Sequence, residues 1–85
     1  MEIHYFAAAR AARGTGQETV ADVPDTLADL LDQLSAEHTG TTDAGMNLGE
    51  VFERCSFLVD GARAGQGQRL AGVQRVDVLP PFAGG

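Results

Sequence analysis

Hydrophobic and polar residues alternate in two short runs near the start of the chain. Residues 2–8 place Tyr5 on one face and Phe6 on the other, and this alternation predicts a first strand. Residues 17–23 predict a second strand. The connection at 9–16 contains glycines, so we expect the two strands to form a hairpin.

The pattern changes to a helical period after Pro24. Thr26, followed three residues later by Asp29, is close to a capping box and predicts the start of a helix. Apolar residues then recur at helical spacing on one stripe, which comprises Leu27, Leu30, Leu31 and Leu34. The helix is predicted to end before Gly40, and we expect its leucine stripe to pack into the core.

The second half of the chain alternates turn signals with short apolar runs. The Asp-Gly dipeptide at 60–61 is a strong signal for a hairpin turn. The predicted elements are a loop at 39–45, a short helix at 47–54, a strand at 56–59, a short return strand at 62–64 and a last strand at 75–79. The complete order predicts an α+β domain, in which a mixed sheet of four to five strands packs on one main helix.

The last seven residues, Leu-Pro-Pro-Phe-Ala-Gly-Gly at 79–85, form a distinct ending. Two prolines stop ladder pairing and hold the backbone extended, and two glycines leave the end without side chains. We therefore predict a domain at 1–79 and a flexible tail at 80–85 that reaches on the order of 20 Å. Frayed chain ends are common but seldom apolar, so we favour a tail that places the carboxylate of Gly85 in a partner's pocket.

Charge and composition narrow the class of partner. The 85 residues carry twelve carboxylates, six arginines and no lysine, for a net charge of −6. An acidic domain of this kind is a poor candidate for nucleic acid or an anionic membrane, but it suits a basic protein surface. Without lysine, no side-chain amine can accept an acyl group from an activated Gly85. No membrane-spanning run or export signal is visible, and with one cysteine we expect a cytoplasmic protein.

Residue patterns of a self-contained active site are missing from the sequence. The two histidines have no spacing for a shared metal, and no zinc-site or phosphate-loop motif occurs. Cys55 stands between two phenylalanines and is interpreted as a small buried hydrophobe rather than a nucleophile. Glu50 and Glu53 lie one helical turn apart and are interpreted as a solvated face. We expect a non-catalytic protein that binds no cofactor itself.

Four segments together resemble the MoaD family, the small sulfur-carrying subunits of molybdopterin synthase, within the MoaD/ThiS group of ubiquitin-like sulfur carriers. They are Tyr5-Phe6-Ala7…Arg10, Thr26-Leu27-x-x-Leu30-Leu31, Cys-Ser-Phe-Leu-Val-Asp-Gly at 55–61 and the ending at 79–85. The likeness spans nearly the whole chain, and the Leu-Pro-Pro-x-x-Gly-Gly ending is its most specific part. The turn at 71–75 departs from the family, which more often has an acidic Asp-Gly-Asp there.

The resemblance implies a ubiquitin-like β-grasp fold and a carrier mechanism. A MoeB-like adenylating partner would use ATP and Mg²⁺ to join Gly85 to AMP, and a sulfurtransferase or cysteine desulfurase would supply sulfur for a thiocarboxylate. The tail would then enter a MoaE-like large subunit, where the sulfur builds the dithiolene of molybdopterin. The tail and partner-binding residues implied are Leu79, Pro80, Pro81, Phe82, Ala83 and Gly84.

Other pathways could use the same activated Gly85. Thiazole carriers of the ThiS type are usually shorter and rarely show Pro-Pro before the ending, whereas cysteine-forming carriers of the CysO type are similar in length. A ubiquitin-like modifier, conjugated through Gly85 to lysines of target proteins, would share the same tail and the same activation. A plain β-grasp interaction module with an incidental Gly-Gly is the remaining alternative.

Overall fold

A computed structural model describes residues 1–81 of the chain. Its elements are β1 (Glu2–Tyr5), α1 (Ala7–Arg13), β2 (Gln17–Thr19), α2 (Leu27–Glu37), α3 (Leu48–Phe52), β3 (Ser56–Val59), β4 (Ala62–Ala64) and β5 (Arg75–Leu79). The strands of this part form one five-stranded sheet in the order β2-β1-β5-β3-β4. β1 and β5 are parallel and the other pairs are antiparallel, so the predicted mixed sheet is confirmed.

The core lies between one face of the sheet and the helices. Alternating strand residues supply its sheet side, which comprises Ile3, Tyr5, Phe57, Val59, Val76 and Val78. The predicted leucine stripe of α2 is buried and supplies much of the helical side. Thr26 caps α2 as predicted, because its side chain accepts a hydrogen bond from the Asp29 backbone N–H at 3.3 Å.

The prediction of a first strand over 2–8 was wrong beyond Tyr5. β1 ends at Tyr5, and an alanine-rich helix, α1, begins at Ala7 inside the predicted strand and connection. Alanine has the highest helix propensity, and Ala9 and Ala12 bury one side of this helix in the core. α1 ends at Arg13 and is capped by Gly14, which has a left-handed φ of 86° and donates its N–H to the Arg10 carbonyl. The predicted hairpin therefore holds a helix within its connection.

The second strand is also shorter than the predicted 17–23. β2 covers Gln17–Thr19, and its pairing with β1 ends where Thr19 meets Glu2. One further backbone bond joins the Val20 N–H to the Met1 carbonyl at 2.8 Å. Beyond that point β1 has no residues left to pair with, so the chain leaves the sheet.

The second half of the chain follows its predicted elements closely. α3 begins after Asn47, whose side chain forms a capping box with Glu50, and it ends at Phe52, two residues before the predicted end at Arg54. Asp60 and Gly61, with φ of 49° and 84°, make the tight turn between β3 and β4. β5 covers the predicted residues 75–79. Within the part of the chain that the structure describes, no helix is both long enough and apolar enough to cross a bilayer.

Candidate functional site

The last described residues leave the sheet from its central strand. Leu79 ends β5 opposite Ser56 of β3, and Pro80 and Pro81 continue outside the ladder. Because β1 and β3 flank β5 on both sides, the point where the tail begins is held by two ladders. The predicted reacting residue Gly85 and the tail residues Phe82, Ala83 and Gly84 lie outside the described residues, so their roles stay predictions.

An open apolar groove adjoins this tail root on the outer face of the sheet, opposite the helices. Its volume is about 600 Å³. The residues that line it are Phe6, Ala7, Ser56, Leu58, Arg63, Leu79, Pro80 and Pro81. The sequence-predicted residues Leu79, Pro80 and Pro81 are thus brought together with side chains from the start and the middle of the chain. We call this feature the tail-root groove.

Phe6 stands out within the groove because its ring is 41% exposed, whereas the other large apolar side chains among the described residues are buried or half-buried. Strand alternation turns Tyr5 into the core and Phe6 outward. Leu58 points outward for the same reason, between the buried Phe57 and Val59. Together with Leu79 and the two prolines they leave a contiguous apolar patch, which is typical of interaction sites. The sequence prediction did not include either residue, although the alternation of 2–8 was the signal for Phe6.

A polar row borders the groove on the same face. His4 of β1 lies opposite Asp77 of β5 in the ladder. On its other side Asp77 lies opposite Leu58 of β3, where the polar residues meet the apolar groove. Asp77 is buried although it is charged, and it accepts a hydrogen bond from Arg75 Nε at 2.6 Å. Such a charge-assisted bond offsets the desolvation of the carboxylate. The outer face therefore has an apolar half at the tail root and a polar half at the other end of β5.

A hydrogen-bond network fixes the strand that carries Phe6. The carboxylate Oε2 of Glu18 accepts bonds from Tyr5 Oη and from Arg13 Nε, each at 2.6 Å. Burial raises the pKa of the Tyr5 phenol well above its usual range, and the neighbouring Glu18 carboxylate raises it further, so Tyr5 stays a donor. Burial alone would raise the pKa of Glu18, but the bonds from Arg13 and Tyr5 outweigh it and the pKa is lowered. The network ties β1, α1 and β2 into one unit.

The described lining of the groove offers apolar contact to a partner. Its described lining is apolar apart from Ser56 and Arg63. Cys55 is half-buried, packs against the core as predicted, and donates its Sγ–H to the Val51 carbonyl at 3.1 Å. Burial raises the pKa of this thiol to about 11, so it stays protonated at neutral pH. Among the described residues, no three histidine, cysteine, aspartate or glutamate side chains are grouped to hold a metal ion.

Comparison with known proteins identifies the family. A family model described as the ThiS family matches residues 3–85. The chain belongs to the ThiS family, within the MoaD/ThiS group of ubiquitin-like sulfur carriers. Carriers of this family generally work with activating enzymes and sulfur donors. A search of curated protein sequences gave no match.

Two solved structures resemble this ThiS-family chain over nearly its whole length. One is the crystal structure of SAMP1 from Haloferax volcanii, which is 26% identical, with a TM-score of 0.70, and covers 99% of this chain and 97% of its own. The other is the crystal structure of H. volcanii small archaeal modifier protein 1, which is 25% identical, with a TM-score of 0.67 and 95% coverage of both chains. The predicted ubiquitin-like β-grasp fold is confirmed.

Proposed function

We propose that this ThiS-family protein carries sulfur as a thiocarboxylate on Gly85 and donates it for dithiolene formation in molybdopterin synthesis. The observation that carries the proposal is the tail-root groove, an apolar binding surface placed where the tail leaves the central strand. The Leu-Pro-Pro-Phe-Ala-Gly-Gly ending supports the molybdopterin client, because it is the most specific part of the resemblance to the MoaD family.

The carrier chemistry needs activation because a carboxylate is ionised at neutral pH and is a poor electrophile. The carboxylate of Gly85 attacks the α-phosphorus of Mg²⁺-bound ATP on the adenylating partner, and pyrophosphate leaves. A persulfide on the sulfur donor then attacks the acyl carbon, AMP leaves, and an acyl disulfide forms. A thiol of the partner reduces that disulfide, which frees the thiocarboxylate and leaves a protein disulfide behind.

The tail-root groove acts in the first step as the docking site of the adenylating partner. Leu79, Pro80 and Pro81 line the groove and also lead to Gly85, so one bound surface positions the reacting end. Phe6 and Leu58 provide the apolar anchors, since buried aromatic and aliphatic side chains dominate many interfaces. The carrier thus supplies position, while the catalytic groups belong to the partner.

A ubiquitin-like protein modifier is the second candidate function. The specific observation in its favour is that the two solved structures described above are of SAMP1 and small archaeal modifier protein 1 from H. volcanii. In that case the activated Gly85 would form an isopeptide bond with a lysine of a target protein, with AMP or a partner's thiol as leaving group.

Intact mass spectrometry tests the proposal. The untagged protein is incubated with Mg-ATP, its adenylating partner and a sulfur donor, and we expect a mass gain equal to one oxygen exchanged for sulfur, located at Gly85. Variants that lack Gly85, or carry one extra residue after it, should keep the fold and show no gain. A normal gain by either variant would contradict the role of Gly85.

The thiocarboxylated protein is then used to distinguish sulfur donation in molybdopterin synthesis from conjugation to target proteins. Addition of a MoaE-like large subunit and the cyclic pyranopterin precursor should form the dithiolene and regenerate the carboxylate. Isopeptide-linked ladders in a lysate, without dithiolene formation in the purified reaction, would favour the modifier instead.

A further inference from the structure

Ala7 holds a backbone conformation that alanine rarely adopts. Its φ is 48°, in the left-handed region that favours glycine. Among the described residues, Asp60 is the other non-glycine with positive φ. Asp60 has a local reason, because it lies in the β3–β4 turn and its Oδ1 accepts hydrogen bonds from the Gln74 and Arg75 backbone N–H groups. Ala7 has only a methyl group, which can accept no such bonds.

The left-handed backbone at Ala7 gives Phe6 two backbone roles at once. The Phe6 N–H donates to the Val78 carbonyl of β5 at 3.3 Å, which extends the β1–β5 ladder by one residue. The Phe6 carbonyl accepts from the Ala9 and Arg10 N–H groups at 3.1 and 3.4 Å, which begins α1. The chain therefore turns from strand to helix within the single residue Ala7.

Phe6, the residue before Ala7, is also not the residue type that would stabilise its position best. Phe6 is the N-cap of α1 and makes no side-chain capping bond, although serine, threonine, asparagine or aspartate would make one. Its ring is exposed in the tail-root groove. Two adjacent departures from local stability at one surface indicate a position held for binding, because strained backbone clusters at functional sites.

We propose that Ala7 is a positioning residue that fixes Phe6 as the anchor of the tail-root groove. The inference rests on the proposed docking of the adenylating partner. Alanine in the left-handed region restricts the strand-to-helix turn, whereas glycine would accept the same φ without strain and also sample many others. Ala7 therefore reduces the conformations of Phe6 before the partner arrives, and preorganisation of this kind strengthens binding.

Ala7→Gly is the test, with thermal unfolding and the Kd for the adenylating partner measured together. We expect an equal or higher unfolding temperature but binding weaker by about two- to fivefold. Ala7→Asn is measured for unfolding temperature alone, since asparagine also tolerates the left-handed region but would place a polar side chain in the groove. Asp60→Gly is the control for affinity, because it places glycine at the other left-handed position among the described residues, outside the groove. It should leave the Kd unchanged, while its unfolding temperature falls through the loss of the two hydrogen bonds that Asp60 accepts.

Phe6→Ala separates this inference from the proposed function. It should weaken binding more than Ala7→Gly does, and the double variant should bind no more weakly than Phe6→Ala alone, because Ala7 acts through Phe6. A double variant that binds more weakly than Phe6→Ala would show that the Ala7 methyl group, which also lines the groove, contacts the partner itself, and would overturn the positioning role. Ala7→Gly with unchanged Kd, beside a weakened Phe6→Ala, would overturn the positioning role and leave groove docking intact. An unchanged Kd for Phe6→Ala would overturn both.

Discussion

The outer face of the sheet and the helical side of the molecule present different surfaces. The sheet face carries the tail-root groove, with one exposed aromatic ring. Residues 27–53, from the start of α2 to the residue after α3, carry six carboxylates and no arginine, namely Asp29, Asp32, Glu37, Asp43, Glu50 and Glu53. The other six carboxylates of the chain are balanced by its six arginines, so the helical segment accounts for the whole net charge of −6.

The two surfaces are expected to act on a partner in different ways, the groove by direct contact and the carboxylates of the helical side by long-range attraction. Apolar surface stabilises a complex only where it is removed from water, so affinity is expected to come from the groove. Exposed carboxylates act over about 8–10 Å in physiological salt, and their main effect is on the rate of encounter and on solubility. The polar cleft between α2 and α3, bordered by Asp32 and Glu53, belongs to this second kind of surface.

Leu58→Asp is expected to have the largest effect on partner binding. A charge in the groove would be desolvated in the complex, so the Kd of the folded variant should rise about 30-fold or more. The unfolding temperature should fall as well, because the new carboxylate lies directly opposite that of Asp77 in the β3–β5 ladder. Isothermal titration calorimetry and thermal unfolding measure the two effects. Leu30→Ala is the control on the helical side, since it empties a core site and should destabilise the fold by about 2–5 kcal/mol. Unchanged affinity in Leu58→Asp would move the docking surface away from the groove.

Glu18→Gln tests whether the hydrogen bonds that join Tyr5, Arg13 and Glu18 stabilise the fold without contacting a partner. It removes the charge that accepts bonds from Tyr5 and Arg13, and we expect a loss of about 1–3 kcal/mol at neutral pH with an unchanged Kd. Because the folded-state pKa of Glu18 is lowered, its stabilisation is present above the unfolded-state value and is lost as pH falls through the folded-state pKa. Urea unfolding from neutral to acidic pH should show this acid loss in the parent protein and a reduced loss in the variant. Equal acid losses would exclude Glu18 as their source.

The double variant Asp32→Asn, Glu53→Gln is expected to have the smallest effect. Both side chains are exposed, so the free energy of unfolding should change by no more than about 0.5 kcal/mol. The Kd at physiological salt should stay the same, while the association rate with a basic partner falls at low salt. Stopped-flow association at two salt concentrations measures this. A loss of affinity comparable to that of Leu58→Asp would show that the helical side is a contact surface.

Most of the fold could be predicted because its signals are local. The leucine stripe of α2, the Asn47 capping box and the Asp-Gly turn each lie within a few neighbouring residues. α1 was missed because residues 2–8 alternate well enough for a strand, and the alanines that follow give no strong period. The length of β2 was overestimated because it depends on where β1 runs out of partners, which is a tertiary property.

The candidate site could be predicted only at its C-terminal part. The tail residues share one uninterrupted motif, so the sequence displays them together. Phe6, Leu58 and Arg63 are far apart in the chain and meet through the strand order β1-β5-β3-β4. Neither the parallel pairing of β1 with β5 nor the left-handed φ of Ala7 has a signal in the local sequence, and both are needed to assemble the groove.

The central position of β5 also has a consequence for synthesis of the protein. Among the strands of residues 1–81, β5 is the last to be made, yet it lies between β1 and β3. Until it emerges from the ribosome, the sheet exists only as two separate ribbons, which are too small to be stable in water. The pairing of Glu2 with Arg75 then closes almost the entire chain in one step, and long-range closure of this kind is slow. The tail root thus takes its position only as the domain folds, so an activating enzyme that recognises the groove would select finished molecules over nascent or unfolded ones.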